Sequence, residues 1–564
     1  MNAIASLLNT QVRGAFLHAP RQQRIFAIAL MSLAIAIGIA TRLVAVFQYV
    51  TFDIGPDPDQ IRDAFTVMDI WDGKLPVLGP KVFGGDLGGF HLPPLYYYLV
   101  FPFTVLGSGP AFHALPNALF SFAAIPLLMV VVYRLLVGVA AHTRLLLSGV
   151  AGFWYSLLFN DIFISNFQWN PSSIPFFFLL FSLLHDIECR HFSNRKMQLL
   201  GWGGKGATLA ILCSLHATAL FIMPMVYGIT TLLHTVKTLR KKGVCAHLLF
   251  PGFGIFVALL LLLPYWRGEV GQGFTNTKAI LNLVLASGSD ASGTTDVGLL
   301  ERLARLLLHS LNSVRQIYFW NDSTLYAGVA AALLGLTLAI AFSHFRGNQS
   351  LWVMWLSTWG LWLVAATKID PNIAPAYYRS LVAIAPIIFV VVALAYHSLS
   401  GKWAIAYRTA IATLIALSCL HNLYYDTQFL AAKYGPQRLV STHDVVTIID
   451  QLPTDARICD PRISRKRDRL NKYNYISRFV TQRELVVNSQ CQAGDFVIHP
   501  KRVLEISGNL LADQTYEATL IVKDKSTGKP NLWPAFSIAD NAQIERPAQL
   551  VLDLPAARVY RLAA

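Results

Sequence analysis

The chain has 564 residues, 54% of them hydrophobic and only 14% charged, with a net charge of +15 and a mean hydropathy of +0.48. Soluble domains carry about 25% charged residues, whereas apolar runs of about eighteen residues or more recur along most of this sequence, which marks a polytopic membrane protein. The surplus of Lys and Arg sits in short connections between apolar runs, the pattern of the positive-inside rule, and argues against a nucleic-acid partner.

Residues 1–23 are polar and basic, hence cytoplasmic. The run from Phe26 to Val50 is too long for the core of a secretory signal and has no small-residue cleavage pattern, so it reads as an anchor. A first helix over about 24–48 leads into the stretch Pro56–Tyr98. That stretch holds Asp57, Asp59, Asp63, Asp69, Asp72 and Asp86, six of the 31 acidic residues. Carboxylates gathered at a membrane surface are costly and usually functional. Arg42, near the outer end of the helix, reads either as a snorkelling side chain or as a partner for a lipid phosphate.

Residues 92–108 are apolar but contain Pro93, Pro94 and Pro102, and read as an interfacial or re-entrant helix. Spans follow at about 111–137 and 143–160, the second bringing Asp161 to the outer face. Residues 161–173 form a short outer loop, and a helix at 174–188 returns inward to Arg190 and Arg195. The basic residues on either side require 206–234 to cross twice or turn back, with a break near His216. A helix at 247–265 leads to a long loop, 266–322, that holds Glu269, Asn276 and the polar tract SGSDASGTTD. Helices are expected at about 323–343, 351–367, 377–397 and 403–423, with Tyr377, Tyr378 and Arg379 in an outer connection. After about residue 425 charged residues rise and strand-like runs appear (ELVVN, DFVIHP, EATLIVKD, AQLVLDL).

The expected architecture is therefore a polytopic α-helical membrane protein of about 11 transmembrane segments, some short or re-entrant. A transmembrane catalytic domain covers 1–424, with a first outer loop at 49–110, and an extracytoplasmic α/β domain covers 425–564. Cys459 and Cys491 are the only cysteines of that domain, and an oxidising compartment would let them pair. The sequence contains no CxxC, HExxH, Walker A or clean GxGxxG motif.

This topology gathers Asp57, Asp59, Arg62, Asp63, Asp86, His91, Asp161, Trp169, Asn170, His216, Glu269, Tyr378 and Arg379 on one face. A carboxylate there can take a proton from an acceptor hydroxyl. Arg and His can hold a phosphate and stabilise charge as it leaves. A single displacement by that hydroxyl inverts the anomeric centre. Blander readings stand beside these. Asp57 and Asp59 form a D-x-D pair that leaves a divalent metal open, though an Asp-rich loop is often just solvated. His216 could be a packed intramembrane histidine. Trp169 and the tyrosines at 96–98 could form an aromatic belt. Asn170–Pro171 could cap the next helix.

The ordered motifs Asp59-Gln60-x-Arg62-Asp63, Gly73-Lys74-Leu75-Pro76, Gly79-Pro80, Gly89-Phe90-His91 and Pro94-Leu95-Tyr96-Tyr97-Tyr98 resemble the first outer loop of bacterial GT-C glycosyltransferases. They resemble in particular the family 39, protein O-mannosyltransferase-like branch, which includes the aminoarabinose transferase of lipid A. Trp169-Asn170-Pro171-Ser172, Leu215-His216-Ala217-Thr218, Pro264-Tyr265 with Glu269, and Tyr377-Tyr378 resemble later segments of that group in the same order. Ser165-Asn166 stands where the group often has Ser-Arg, Tyr377 stands in place of a histidine, and Asp161 matches the second carboxylate of the superfamily only loosely.

The resemblance implies an inverting transferase that moves a sugar from a polyprenyl-phosphate donor to an extracytoplasmic acceptor: lipid A or lipopolysaccharide, a cell-envelope polysaccharide or a protein. It places the chain in the bacterial inner membrane with a cytoplasmic N-terminus. Asp59 would act as base or orient the acceptor, with Asp57 and Asp63 beside it. Arg62, His91, Tyr97, Asp161, Trp169, Asn170, His216, Glu269, Tyr378 and Arg379 would bind substrate or the lipid phosphate. No cofactor is firmly implied. The rival from another class is a polytopic transporter or lipid-linked glycan flippase, which calls for broken helices and charges near the midplane in paired halves. No internal repeat is visible.

Overall fold

The computed structural model describes residues 20–49, 58–82, 89–136, 138–239, 244–286, 300–301, 304, 353–358, 360–361, 401–435, 440–460, 472–483, 485–488, 491–500, 502–507, 510–515 and 548–563. Asp57, Asp86, Tyr378, Arg379, the SGSDASGTTD tract, the EATLIVKD run and the expected helices at 323–343 and 377–397 lie outside these residues.

Helix α1 (Arg21–Gly38) continues through a π-helical turn (Ile39–Val44) and a 3-10 turn (Ala45–Phe47), 27 residues in all. A helix end leaves carbonyls without intrahelical donors. Here Asn166 Nδ2 donates to Thr41 O at 3.0 Å and Lys433 Nζ donates to Ala45 O at 2.7 Å. The chain then forms α2 (Pro58–Asp69), a short hairpin of β1 (Lys81–Val82) and β2 (Phe90–His91), and α3 (Leu95–Val100), which tightens into a 3-10 turn ending at Val105. From Leu95 to Val105 this helix is about 16 Å long, too short to cross a hydrocarbon core of about 30 Å.

The bundle proper contains α4 (Pro110–Leu135), α5 (Ala141–Ser156), α6 (Phe159–Ser165), α7 (Ile174–Arg190), α8 (Arg195–Leu215), α9 (Ala217–Leu239), α10 (Val244–Leu261), α11 (Leu263–Gly271), α12 (Thr275–Ala286) and α13 (Gly401–Tyr434). Among the described residues five helices are long and apolar enough to span a membrane. Two bent pairs, α5 with α6 at 58° and α10 with α11 at 61°, raise that number to seven. The protein is a multi-pass membrane protein. Pro264 near the start of α11 ends α10, because it cannot donate its backbone nitrogen. Between α8 and α10 the backbones meet at glycines: a Cβ on Gly206 would lie 1.9 Å from Gly254 O.

The end of α1 and the start of α4 lie at the same end of the bundle, called here the loop face. His216 sits there too, in the extended break between α8 and α9. Three expectations change. Residues 161–173 are not an outer loop: Asp161 lies in α6, buried with its neighbours. The start of the 266–322 loop is helical, as α11 and α12. The helix expected at 403–423 runs on to Tyr434, because Tyr425, Phe429 and Ala432 pack against Phe159 and Phe163 of α6.

The C-terminal part opens with α14 (Thr442–Gln451), closed at its start by a capping box of Ser441 and Asp444. It continues through β3 (Arg457–Cys459), α15 (Lys472–Ile476), β4 (Val486–Asn488), β5 (Phe496–Pro500), β6 (Arg502–Ser507), β7 (Leu510–Thr515), β8 (Ala548–Asp553) and β9 (Ala557–Leu562). Five strands form a mixed sheet in the order β4-β3-β5-β9-β8, parallel across β4-β3-β5 and antiparallel beyond, and β6 and β7 pair separately. Val445, Ile448 and Ile449 of α14 cover the sheet against Ile458, Phe496 and Val559. Cys459 and Cys491 are joined by a disulfide.

Candidate functional site on the loop face

Helix α2 places Arg62 and Asp63 next to one another. Asp63 is 2% exposed, and its Oδ1 accepts from Arg62 Nε at 2.9 Å, Arg62 Nη2 at 2.8 Å and Tyr97 Oη at 3.0 Å. Burial and the Asp63 carboxylate push the Tyr97 phenol well above its ordinary value, so Tyr97 stays a donor. Tyr96 and Tyr97 are 1% and 2% exposed and so do not form a lipid-facing belt. Tyr98 Oη donates to Pro76 O at 2.9 Å, which ties α3 to the turn before β1.

That turn holds His91. Its Nδ1 lies 2.9 Å from Gly79 O, so Nδ1 carries a proton and Nε2 is the acceptor of the neutral ring. Gly79 is required there, since a Cβ would come within 2.3 Å of Pro93 O. The backbone of His91 pairs with Asn276 in both directions: His91 N donates to Asn276 Oδ1, and Asn276 Nδ2 donates to His91 O at 2.9 Å. Asn276 also donates to Tyr265 Oη at 2.8 Å. Glu269 is fully buried, and its Oε2 accepts from Thr277 N at 2.9 Å, capping α12. Among the described residues Glu269 Oε1 has no hydrogen-bond partner.

His216 takes the other tautomer. Its Nδ1 accepts from Thr218 N at 3.2 Å, which puts the proton of the neutral ring on Nε2. Asn170 Nδ2 donates to Leu215 O, the last carbonyl of α8, and the Trp169 carbonyl accepts from Asn117 Nδ2 at 2.9 Å. Phe90 and Phe221 meet edge to face at 6.1 Å, so β2 leans on α9 just past His216. Arg62, Asp63, His91, Tyr97, Trp169, Asn170, His216 and Glu269 thus belong to one end of the bundle. Asp59 lies in α2, and its side chain, like all of Asp57, is outside the described residues. The metal question raised by that pair goes with them.

Asp161 has a different setting from the one expected. Its Oδ2 accepts from Arg42 Nη2 at 2.8 Å, Arg42 Nε at 3.2 Å and Ser121 Oγ at 2.5 Å, and its Oδ1 from Tyr155 Oη at 2.9 Å. Arg42 is wholly buried and also donates to Ser156 O at 3.0 Å and Tyr155 O at 3.4 Å. It neither snorkels nor reaches for a phosphate. The pair staples the α5–α6 bend: the cation sits on the carbonyl end of α5 and the anion in the first turn of α6, each matched to the local dipole.

A second charged set lies at the opposite end of the bundle. Asp186 binds Arg134 and Arg190, the latter at 2.6 Å. Glu188 binds Lys205 at 2.6 Å and His185 at 3.1 Å, and the Lys205 ammonium rests 3.2 Å from the centre of the Trp202 ring. His185, Glu188 and Cys189 bring their donor atoms within 4.8 Å of one another, but the ammonium and the imidazole already neutralise that carboxylate. Sequence reasoning singled out none of Lys205, Glu188, Thr277, Ser121 or Tyr155, and named Asn276 only as a residue of the 266–322 loop, with no role. For Asn276 a signal exists: Gly271-Gln272-Gly273 marks a turn, with positive φ at Gly273 and Phe274, and polar residues follow at once.

No family model and no curated protein matches the chain. Among solved structures, it is similar to ArnT from Cupriavidus metallidurans bound to undecaprenyl phosphate, with 12% identity over 93% of this chain and 97% of that one and a TM-score of 0.45. The same enzyme in the apo state gives 13% identity over 82% and 92%, with a TM-score of 0.48. The archaeal oligosaccharyltransferase AglB from Archaeoglobus fulgidus, in complex with an inhibitory peptide and a dolichol-phosphate, gives 13% identity over 83% and 65%, with a TM-score of 0.42.

Proposed function

We propose that the protein is an inverting glycosyltransferase that takes a sugar from a polyprenyl-phosphate donor and passes it to an acceptor on the loop face, extracytoplasmic by the charge bias of the sequence. The observation that carries this reading is the pair of linked sets Arg62–Asp63–Tyr97 and His91–Asn276–Tyr265, in which first-loop residues are fastened to α3 and α12 and, through Asn276, to α11. Asp59, one helical turn before Asp63, is the base for the acceptor hydroxyl. Asp63, with three donors on one oxygen, orients Arg62 and holds α2 in place. Arg62 supplies positive charge and His216 its Nε2–H to the phosphate as it leaves, and His91, whose Nε2 is an acceptor, binds a hydroxyl of the substrate. Tyr378 and Arg379 stay assigned to the lipid phosphate, and Cys459–Cys491 to the stability of the C-terminal domain. Lipid A, a wall polysaccharide and a protein are the acceptors to compare.

The test uses purified full-length protein with a polyprenyl-phosphate sugar. Undecaprenyl and dolichol phosphate, the lipids held by the two similar structures, are the carriers to compare. Asp59→Asn is expected to retain the copurifying lipid while transfer falls about 10²-fold or more. Transfer at the parental rate would remove Asp59 from its role. Donor flipped between leaflets without transfer would favour the transporter reading.

A further inference from the structure

The C-terminal domain has contacts that reach the first loop directly, and from them we infer that it positions the loop-face site by gripping α2 from both sides. What is positioned rests on the transferase reading; the grip itself does not. Helix α2 carries two buried stripes. Asp63 and Val67, with Ile70 just past the helix end, face the bundle and Tyr97, while Ala64 and the partly buried Phe65 and Met68 join the core of the C-terminal domain with Val445, Ile448 and Ile476. Val67 lies four residues after Asp63, and Met68 lies three and four residues after Phe65 and Ala64, the spacings of one helix face.

The first grip lies before α2. Thr442 N, at the start of α14, donates to Tyr49 O at 2.9 Å, and Tyr49 Oη donates to Gln60 Oε1 at 3.1 Å. The second lies beyond it. Tyr475 Oη donates to Ser108 O at 2.7 Å and sits 2.5 Å from His113 Nε2 of α4. Ser108 Oγ donates to Phe479 O. The Phe65 ring meets Tyr475 and Phe479 edge to face at 5.5 and 5.4 Å. The domain therefore touches the chain before α2, one whole stripe of α2, and the loop that leads into α4. Arg62 and Asp63 stand between these holds, so a loosened domain moves them relative to His91 and Glu269, which are fixed from α11 and α12.

The Thr442 contact can be removed cleanly. Residue 442 opens α14, where proline is tolerated because that N–H has no helical partner. Ser441 before it is extended, at φ −92° and ψ 169°, as a residue preceding proline must be. Thr442→Pro deletes the donor to Tyr49 O and keeps the Ser441–Asp444 capping box. Thr442→Ala keeps the donor, and Tyr475→Phe removes the hydroxyl contacts of the second grip. Two readouts are needed on the full-length protein. Hydrogen exchange in 58–69 is expected to speed up about tenfold in Thr442→Pro and Tyr475→Phe, with β3, β5 and β9 unchanged and Thr442→Ala close to the parent. In the transfer assay the first two variants are expected to lose about tenfold in kcat with the donor KM held within about twofold. Unchanged exchange in 58–69 in both variants overturns the inference, as does a rise in KM at constant kcat. Faster exchange in a protein whose parent transfers no sugar sinks the transferase reading alone and leaves the grip standing.

Discussion

The Arg42–Asp161 pair gives the sharpest test of whether a buried carboxylate on the loop face serves the fold or the ligand. Arg42→Met removes a wholly buried guanidinium and leaves Asp161, 4% exposed, with only Ser121 and Tyr155 as donors. Breaking one side of such a pair costs about 3–5 kcal/mol. The carbonyls of Tyr155 and Ser156 lose their donor at the α5–α6 bend, for about 1 kcal/mol each. The expected loss of about 5–7 kcal/mol rivals the whole stability of many domains. Arg42→Met should therefore be poorly recovered and unfold at a markedly lower temperature in detergent. Asp161→Leu alone should be as damaging, because it strands the cation. The double variant Arg42→Met/Asp161→Leu should recover much of the loss, since replacing both partners by apolar groups is often neutral. Thermal unfolding of all four proteins, read as a double-mutant cycle, gives the coupling. The reasoning fails if Asp161→Asn keeps the parental unfolding temperature and instead weakens binding of polyprenyl phosphate. That result would make Asp161 a ligand-binding residue.

Two further outcomes follow from close approaches and covalent links. Gly79→Ala places a Cβ 2.3 Å from Pro93 O and 2.8 Å from Leu92 O, backbone atoms that cannot step aside. It should cost about 1–3 kcal/mol and expose 76–93 to proteolysis, whereas Gly228→Ala in α9, where a Cβ meets nothing within 4 Å, should be neutral or stabilising. Reduction of Cys459–Cys491, or Cys459→Ser with Cys491→Ser, opens a link of sequence separation 32. It should destabilise the C-terminal domain by about 3 kcal/mol, seen as earlier thermal unfolding in reductant; an unchanged transition would show the link to be idle.

What the sequence made legible is what depends on local composition. The prolines of 92–108 marked a segment unable to cross, and α3 is short. Basic residues on both sides of 206–234 demanded a reversal, and the chain does turn at His216, though the helices are longer because α8 begins at Arg195. What stayed hidden depends on which helix faces which. Arg42 and Asp161 lie 119 residues apart, and each alone looks like a group waiting for a ligand. Lys205, in the middle of α8, resembles a misplaced charge until Glu188 of α7 and the Trp202 ring close around it. Asn276 lies 185 residues from His91, and the bond between them could not be inferred from either neighbourhood.

The two stripes of α2 also bear on the order in which the loop face can form. Its bundle-facing stripe can be buried once α3 and α4 are made, but among the described residues its other stripe is covered by residues from 440 onward. Burying a large apolar side chain such as Phe65 or Met68 stabilises by about 1.5–3 kcal/mol when complete, and both are partly buried here. Until the C-terminal domain folds, α2 therefore lacks a few kcal/mol of the contacts that fix it, while the Arg42–Asp161 staple and the α8–α10 glycine contact are complete without it. The bundle can thus be set while the acidic helix is still loose, and the site is completed by the C-terminal domain, which is synthesised after the bundle. A truncation before residue 440 should then leave a bundle with its staple intact and α2 unprotected against hydrogen exchange; protection equal to that of the full chain would show that the bundle alone holds the acidic helix.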